Sequence, residues 1–408
     1  MNIKFEQIEG SSRQFYLLTV ALAALVMAGA YCTWVMYEHG LYLSGMTNRI
    51  PWGLQIVMTV FYIGLSAGSL VISSLYGVFG KLQYKPFARV AAYLALLLLV
   101  GALLSILTDQ GRLDRVLIEP FRHFNPLSML SINPFLYISY LLICTAYLGA
   151  MMLDNEKWTK ILALVAVLWA VLVHSGTGAI FGFVPRELYR SPLLPPSFVA
   201  AALSSGTALM ILIILLLFRL TQRPLDDRLM LWVGQLLAVF VVLAGYFVFI
   251  ENAYRSYVHE SREAERYFLF GGWHSVLFWG GEVTVGTIIP AMVLFNRRLG
   301  NSIRWVSFSA ALVVVGVLCE RYLIVIPGLA HPPDLFPGWT ITQSVAEEGI
   351  AVYTISSYEA LQALGVAALI GLFFIWGLKL LKLLPTEVTA GPCSSLDDSR
   401  ENHAAART

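Results

Sequence analysis

The chain has 408 residues, of which 58% are hydrophobic and 13% are charged, and its formal net charge at pH 7 is +2. A soluble domain carries about 25% charged residues, so this composition excludes an ordinary soluble protein and indicates a membrane protein. We expect the lipid bilayer, and no nucleic acid, among its partners.

Ten apolar stretches follow one another along the chain, each near or above the roughly 20 residues that a helix needs to cross the bilayer. The strands of a membrane barrel would instead be alternating segments of roughly 10 residues. We therefore predict an all-α polytopic membrane protein with about ten transmembrane helices. The first stretch is longer than a signal-peptide core, and we expect it to remain uncleaved. The predicted spans are 15–36, 52–79, 87–108, 134–153, 158–180, 197–219, 229–250, 273–295, 303–326 and 357–381.

Ten crossings place both termini on one side of the membrane. Most of the 27 lysines and arginines lie on that side, so the positive-inside rule predicts that both termini are cytoplasmic. The expected organisation is a cytoplasmic N-terminus over residues 1–14, a ten-helix membrane domain over 15–384 and a disordered cytoplasmic tail over 385–408.

The connections on the opposite, outer side are long, at 109–133, 181–196, 251–272 and 327–356. Residues 112–123 alternate charged and apolar side chains, which predicts an interfacial helix. The last connection has too many prolines to be helical throughout. Long outer loops suggest that partner proteins dock on this side; the alternative is that the loops only cover the helix ends.

The cysteines and histidines favour a chain without metal centres of its own. No two of the four cysteines are close in sequence, so we expect no iron–sulfur cluster, zinc site or disulfide framework. Only His174 and His274 could pair at matching depth to hold a haem, and one such pair is a weak signal. We therefore expect no haem.

Ionisable residues inside spanning helices are costly, by about 2.5–3.5 kcal/mol each, and usually functional. The ones found here all fall in the outer half of the membrane or near its midplane. This asymmetry points to chemistry near the outer face. They are Asp109, His174, Glu282, Glu320, Arg321 and Glu359.

Each of these residues also has a structural interpretation. Glu320 and Arg321 are adjacent and point about 100° apart on a helix, so we expect them not to pair with each other. Arg321 could instead neutralise Glu282 or Glu359, and His174 could be a hydrogen-bonded interfacial histidine. The functional alternative is that the group binds a substrate or carries protons. Small residues at 64–68, 178–182 and 204–208 favour close helix packing, or leave room for a flat ligand.

Several stretches resemble the NrfD/polysulfide reductase membrane-subunit family. They are PWGL at 51–54 with GLSAG at 64–68, VHSGTGAIFGFVPRELYRSPLLPPSFVAAALSSGTAL at 173–209, ERYLIV at 320–325 and SYE at 357–359. The block at 173–209 is the most specific. Ten helices instead of eight resemble the long branch of the family, which includes the DsrP-type subunits of sulfite-reductase-linked complexes.

The resemblance implies two four-helix bundles, helices 2–5 (about 52–180) and 6–9 (about 197–326), flanked by helices 1 and 10. It also implies a subunit of the bacterial inner membrane that binds menaquinone or ubiquinone and carries no redox centre. Its electrons would pass to or from a periplasmic four-cluster ferredoxin-like iron–sulfur subunit. A multihaem cytochrome c, further membrane subunits and a link to dissimilatory sulfur metabolism are also implied.

By the same resemblance, His174 is a quinone ligand, and Gln55, Tyr62, Tyr137 and Tyr140 are expected to line a slot among helices 2–5. Some relatives carry an aspartate just after this histidine, whereas residues 175–183 contain no acid. Glu282 or Asp109 could replace it, or proton movement could be absent. We expect a second polar site, an ion-pair lock or a proton path, from Glu282, Glu320, Arg321 and Glu359.

Two other functions compete with quinone binding. Buried acids and an arginine also suit a proton-coupled secondary transporter. Against this, the sequence shows no clear helix break near mid-membrane, where Pro290 is an isolated case. The third possibility is a purely structural anchor for redox partners, in which the buried charges form ion pairs.

Overall fold

The computed structural model describes residues 4–111, 115, 118–223, 225–331 and 350–385. Within these residues, ten helices are long and apolar enough to cross a membrane, which confirms the predicted all-α fold. They are α1 (Arg13–His39), α2 (Leu54–Gly77), α3 (Lys85–Asp109), α4 (Met129–Met152), α5 (Glu156–Gly182), α6 (Leu194–Leu220), α7 (Asp227–Tyr257), α8 (Gly272–Phe295), α9 (Ile303–Ala330) and α10 (Ser357–Leu380).

The two ends of the described chain lie on the same side of the helix bundle. Strand β1 (Phe5–Glu6) pairs with the antiparallel strand β2 (Leu384–Pro385). Pro385, predicted to begin the tail, is thus part of this ladder, and residues 386–408 lie outside the described residues. We call this side the termini face, and the opposite side, where α2, α4, α6, α8 and α10 begin, the loop face.

Two predicted loops are shorter than expected because helices continue into them. Helix α7 runs on to Tyr257, and a separate short helix, Arg262–Phe270, follows it. Helix α9 contains Pro327 and ends three residues later, where a proline removes little of the backbone ladder. Of the predicted interfacial helix at 112–123, the structure describes a short helix over Glu119–Arg122, and residues 112–114 and 116–117 lie outside the described part.

Helix α8 departs from regular α geometry near its middle. Its segment Leu277–Ile288 is a π-helix, and the Thr287 hydroxyl donates to the carbonyl of Glu282, five residues earlier, at 3.2 Å. The sequence indicated no break here, and the helix is widened without being interrupted. Such π segments frequently mark functional sites.

The helices form two groups joined through α6 and α9. Helices α2, α3, α4 and α5 form a ring in which each contacts its neighbours, and α6, α7, α8 and α9 form a second group. The groups meet where α6 packs against α2 and α5 and where α9 packs against α2. Helices α1 and α10 pack together at the edge of the first group. The backbones of the two bundles touch at Gly68 and Gly206, where a Cβ atom on Gly206 would lie 2.3 Å from the Gly68 Cα atom. This confirms close packing at the second glycine of the 64–68 stretch.

Candidate functional site

His174 is a buried imidazole in which one ring nitrogen is hydrogen-bonded and the other has no partner among the described residues. It lies eight residues before the end of α5, so it is about 12 Å below the loop face. Its Nδ1 atom is 2.8 Å from the carbonyl oxygen of Ala170 and must donate, since a carbonyl only accepts. In the neutral ring Nε2 is therefore an acceptor. Nε2 has no hydrogen-bond partner among the described residues, although the backbone of Ile63 lies beside the ring.

Arg321 supplies a buried guanidinium near this imidazole. Its side chain is 1% exposed, stacks over the ring of Phe198 at 4.3 Å and lies within electrostatic reach of His174. In the described part of the chain, none of its three side-chain nitrogens makes a hydrogen bond. A buried charge without hydrogen bonds is expensive, so these N–H groups are available to an acceptor that enters the site.

The expectation that Glu320 and Arg321 do not pair is wrong. Their charged atoms, Glu320 Oε1 and Arg321 Nη1, are 3.7 Å apart. The arginine side chain is long enough to bring its end back to the neighbouring residue, although the two backbone directions diverge. The separation is too long for a hydrogen bond, so this ion pair leaves the guanidinium donors unused.

Two of the predicted lining tyrosines lie on α4. The Tyr137 hydroxyl is 2.9 Å from Thr177 Oγ1, which itself donates to the carbonyl of Val173, so Tyr137 is the donor. Thr177 lies one turn beyond His174 on α5, which places Tyr137 on the His174 side of α4. Tyr140 lies one turn deeper on the same helix and is fully buried.

The other two predicted lining residues, Gln55 and Tyr62, lie on α2, on the side that faces α3 and α10. The Gln55 amide donates to the backbone carbonyl of Glu359 on α10 at 3.2 Å. The ring of Tyr62 faces Gly101 of α3, where a Cβ atom would meet it at 3.8 Å. The structure thus places these two side chains toward α3 and α10.

Glu359 does not join the predicted second polar site. Its Oε2 atom accepts from the backbone amides of Gly45 at 2.9 Å and Ser356 at 3.2 Å, and its Oε1 atom accepts from the Tyr353 hydroxyl at 2.9 Å. Together with Ser356 it forms the capping box of α10. Asp109, at the end of α3, lies near Gly53 and Glu359 at the same edge. Glu359 is therefore held by neutral donors.

Glu282 and Glu320 instead join a cluster that includes three residues missed in the sequence. Arg255 Nη1 is 3.3 Å from Glu251 Oε1, and Arg255 Nε is 3.0 Å from Glu265 Oε2. The sequence pattern places these residues in a loop. The spacing of four between Glu251 and Arg255, typical of a helical ion pair, was the available signal.

This cluster encloses a small polar cavity in the second bundle. The cavity has a volume of about 30 Å³, enough for one or two water molecules. Its charged lining residues are Glu251, Arg255, Glu282 and Glu320. The π segment of α8 contributes Glu282, so the widened helix and the acidic cavity coincide.

The stability of the segment that follows α7 should depend on pH through Glu265. Burial is the main cause that raises the pKa of Glu265 to about 7, and Arg255 partly opposes it. The folded state therefore binds this proton more tightly than the unfolded state. Stability is fully present below about pH 4.5 and decreases as pH rises toward 7, by on the order of 2 to 3 kcal/mol.

We expect Glu265→Gln to match the wild type in Tm at pH 5 and to exceed it at pH 8, when both proteins are measured in detergent. An equal difference at both pH values would show that Glu265 titrates normally.

The chain matches known proteins over most of its length. The family model "Polysulphide reductase, NrfD" matches residues 42–333, more than half of the chain. The Hdr-like menaquinol oxidoreductase integral membrane subunit of Archaeoglobus fulgidus is 40% identical over 94% of this chain and 98% of its own length. A subunit of the selenate reductase of Mesobacillus selenatarsenatis is 28% identical, over 78% and 83%. The menaquinone reductase integral membrane subunit of Nitratidesulfovibrio vulgaris is 24% identical, over 82% and 86%.

These relatives are subunits of oxidoreductase complexes, two of them named for menaquinol or menaquinone chemistry. The extent of the family match and the 40% identity agree with the ten-helix fold and with the resemblance seen in the sequence. The chain is therefore a multi-pass integral membrane protein that belongs to the NrfD/polysulfide reductase family of membrane subunits.

Proposed function

We propose that this chain is the quinone-binding membrane subunit of a multi-subunit redox complex. The observation that carries the proposal is the proximity of His174 Nε2 and the Arg321 guanidinium, an acceptor and a donor group that both lack a hydrogen-bond partner among the described residues. Both are buried at the junction of the two bundles, beside α2 and α6. The names of the relatives support the same chemistry.

A quinone and its quinol match this pair of groups. Quinol oxidation releases two electrons and two protons, so one oxygen needs a base and the other needs a donor as it becomes a carbonyl. The His174 Nε2 atom would accept one proton, and the second would leave the opposite oxygen for the neighbouring acidic cavity, which Glu282 lines. An Arg321 N–H group would donate to that oxygen as it becomes a carbonyl, and the two electrons would pass to the partner subunit. Tyr137, hydrogen-bonded to the turn that follows His174, fixes the neighbouring wall of the site.

The electrons leave or enter through the loop face. His174 is eight residues from the loop-face end of α5 and 18 from the other end, so the shortest exit leads to the loop face. The electron carriers would be subunits docked on that face. The first would be a four-cluster ferredoxin-like iron–sulfur subunit, and a multihaem cytochrome c would follow it. We further propose that the loop face is periplasmic, that both termini are cytoplasmic, and that the complex serves dissimilatory sulfur metabolism in a bacterial inner membrane.

The acidic cavity favours proton-coupled transport as a second candidate function. Glu282 lies in a widened, π-helical part of α8, which resembles a helix irregularity at a substrate site. In this alternative, the chain would move a solute in vesicles without partners or quinone.

One preparation distinguishes these functions. The complex is purified in mild detergent, its quinone is extracted and identified, and it is then given a reduced naphthoquinol with an electron acceptor. We expect bound quinone, a co-purified iron–sulfur protein and quinol-dependent reduction of the acceptor. A quinone-free chain that drives solute uptake in vesicles would favour the transporter. A complex that assembles but neither binds nor oxidises quinol would favour the structural anchor.

A further inference from the structure

We propose that a groove at the termini face, between α6, α7 and α9, binds the headgroup of an anionic phospholipid such as phosphatidylglycerol. Helix α6 ends at this groove, and α7 and α9 begin there. The lipid site is independent of the proposed quinone chemistry, because His174 lies nearer the opposite, loop face of the membrane domain.

The groove has a charged end and an apolar end. Its volume is about 500 Å³, within the range of small-molecule sites. The charged residues in its lining are three arginines, Arg219, Arg223 and Arg304, and one aspartate, Asp227. The described lining is therefore positive overall, and guanidinium groups are well suited to bind a phosphate.

The three arginines keep donors for such an anion. Among the described residues, no carboxylate forms an ion pair with Arg219 or Arg304, and both side chains are exposed. Arg223 is held in place, because its Nη1 atom donates to the carbonyl of Pro385 in β2 and its backbone amide donates to the carbonyl of Phe218 at 3.1 Å. The contact with Pro385 uses one of the five N–H donors of the guanidinium.

The first turn of α9 adds backbone donors to the same groove. Ile303 and Arg304 line the groove, and Ser302, the N-cap of α9, makes no side-chain hydrogen bond to this turn. The first N–H groups of a helix have no partner within the helix, and the helix dipole favours an anion beside them. A phosphate in the groove would therefore meet guanidinium and main-chain donors together.

The apolar end of the groove fits an acyl chain. Leu212, Leu215 and Leu216 line it, and they precede Arg219 on α6 by three to seven residues, which places them about 5–10 Å deeper in the membrane. Leu216 is 53% exposed. A headgroup bound to the arginines would thus lay its acyl chains along α6. A soluble phosphate would leave this wall uncovered, so the two ends of the groove together favour a lipid.

The competing interpretation is that these arginines only orient the chain in the membrane. Arg228, Arg297 and Arg298 also lie at the termini face with exposed side chains, but they are not part of the groove lining. Orientation by the positive-inside rule treats all of these residues alike. A lipid site requires the arginines of the groove and not the others, so the two sets can be compared directly.

The experiment measures lipid binding to the full chain by native mass spectrometry, after purification in a neutral detergent with any proteins that accompany it. Dioleoyl phosphatidylglycerol and zwitterionic dioleoyl phosphatidylcholine are added in separate titrations. We expect the wild type to bind the first phosphatidylglycerol at least about tenfold more tightly than phosphatidylcholine. The double variant Arg219→Gln/Arg304→Gln should lose this preference. The matched control Arg297→Gln/Arg298→Gln removes the same amount of charge from the same face and should keep it.

Asp227→Asn should change binding in the opposite direction. The substitution removes a negative side chain from the groove lining, so the first phosphatidylglycerol should bind more tightly than in the wild type while phosphatidylcholine binding is unchanged. A variant that had lost its fold would not gain affinity, which separates this result from a folding defect.

Three results would overturn the lipid site and leave the quinone proposal standing. The first is equal affinity of the wild type for the two lipids. The second is loss of the preference in both double variants, which would show a general attraction to the basic face. The third is displacement of phosphatidylglycerol by inorganic phosphate but not by sodium chloride of equal ionic strength, which would show that the groove binds a soluble anion.

Discussion

Replacement of His174 by alanine should lower quinol-dependent reduction of the partner by about 10²-fold or more while the complex still assembles. The residue supplies a buried acceptor, Nε2, to which no group in the described part of the chain donates. A positioned base contributes roughly 10²–10⁴-fold to proton transfer, and alanine supplies none. Steady-state oxidation of a naphthoquinol by the purified complex measures the effect, and a gel of the same sample shows whether every partner protein is still present.

His39→Ala is the matched control for this variant. His39 also places Nδ1 near the carbonyl four residues earlier, Val35, at 3.2 Å, and it lies near the loop face, but its side chain is exposed at the end of α1. Its removal should leave turnover unchanged. Normal turnover in His174→Ala would contradict the site assignment, and loss of turnover in both variants would show a general requirement for histidine at this face.

Arg321 should prove necessary as a donor and not only as a counter-charge. Arg321→Met alone leaves the buried Glu320 without its ion pair, and breaking a buried pair costs about 3–5 kcal/mol, so we expect both instability and loss of turnover. The double variant Arg321→Met/Glu320→Gln removes both charges and should recover most of the lost stability. We nevertheless expect its quinol oxidation to stay at least about tenfold below the wild type, because the N–H donors are absent.

The double variant separates the two interpretations of this arginine. Thermal stability is followed by the fluorescence of a thiol-reactive dye or by light scattering, and turnover is measured on the same samples. If turnover recovers together with stability, the arginine only neutralises Glu320. Arg321→Lys gives a further comparison, since it keeps the charge but loses the planar stack on Phe198, and we expect weakened quinone binding.

The spans could be predicted because the bilayer imposes one strong pattern, a long apolar run for each crossing. The ends of α7 and α9 were predicted too early in the chain. Glu251 and Arg255 are charged, so the pattern predicts a loop at these positions. In the structure they form an ion pair across one helical turn, and the helix continues. Pro327 looks like a terminator, but in the last turn of α9 it interrupts little of the backbone ladder.

The candidate site was only partly accessible from the sequence because α2 is buried on nearly every side. Its polar residues Gln55, Thr59, Tyr62, Ser66 and Ser73 form one stripe at helical spacing, and the hydroxyls of Thr59, Ser66 and Ser73 donate to carbonyl groups of α3. The stripe shows that Gln55 and Tyr62 share a face, but by itself it does not show which helix this face contacts. His174 was easier to identify because it belongs to a block of 37 continuous residues, 173–209, that resembles the family.

The role of Glu359 could have been read from the sequence. Ser356 followed three residues later by Glu359, before an apolar run, is the pattern of a capping box. The acidic cavity was predicted only in part, because Glu282 and Glu320 were assigned to a polar site whereas Glu251 and Arg255 fell in the predicted loop at 251–272.

An experimental structure of the complete complex with bound menaquinone tests the central claim most directly. We expect ring density at the junction of the two bundles, with one oxygen within hydrogen-bonding distance of His174 Nε2 and the other near the Arg321 guanidinium. A quinone ring bound at another place, with His174 and Arg321 satisfied by protein groups or water alone, would contradict the claim.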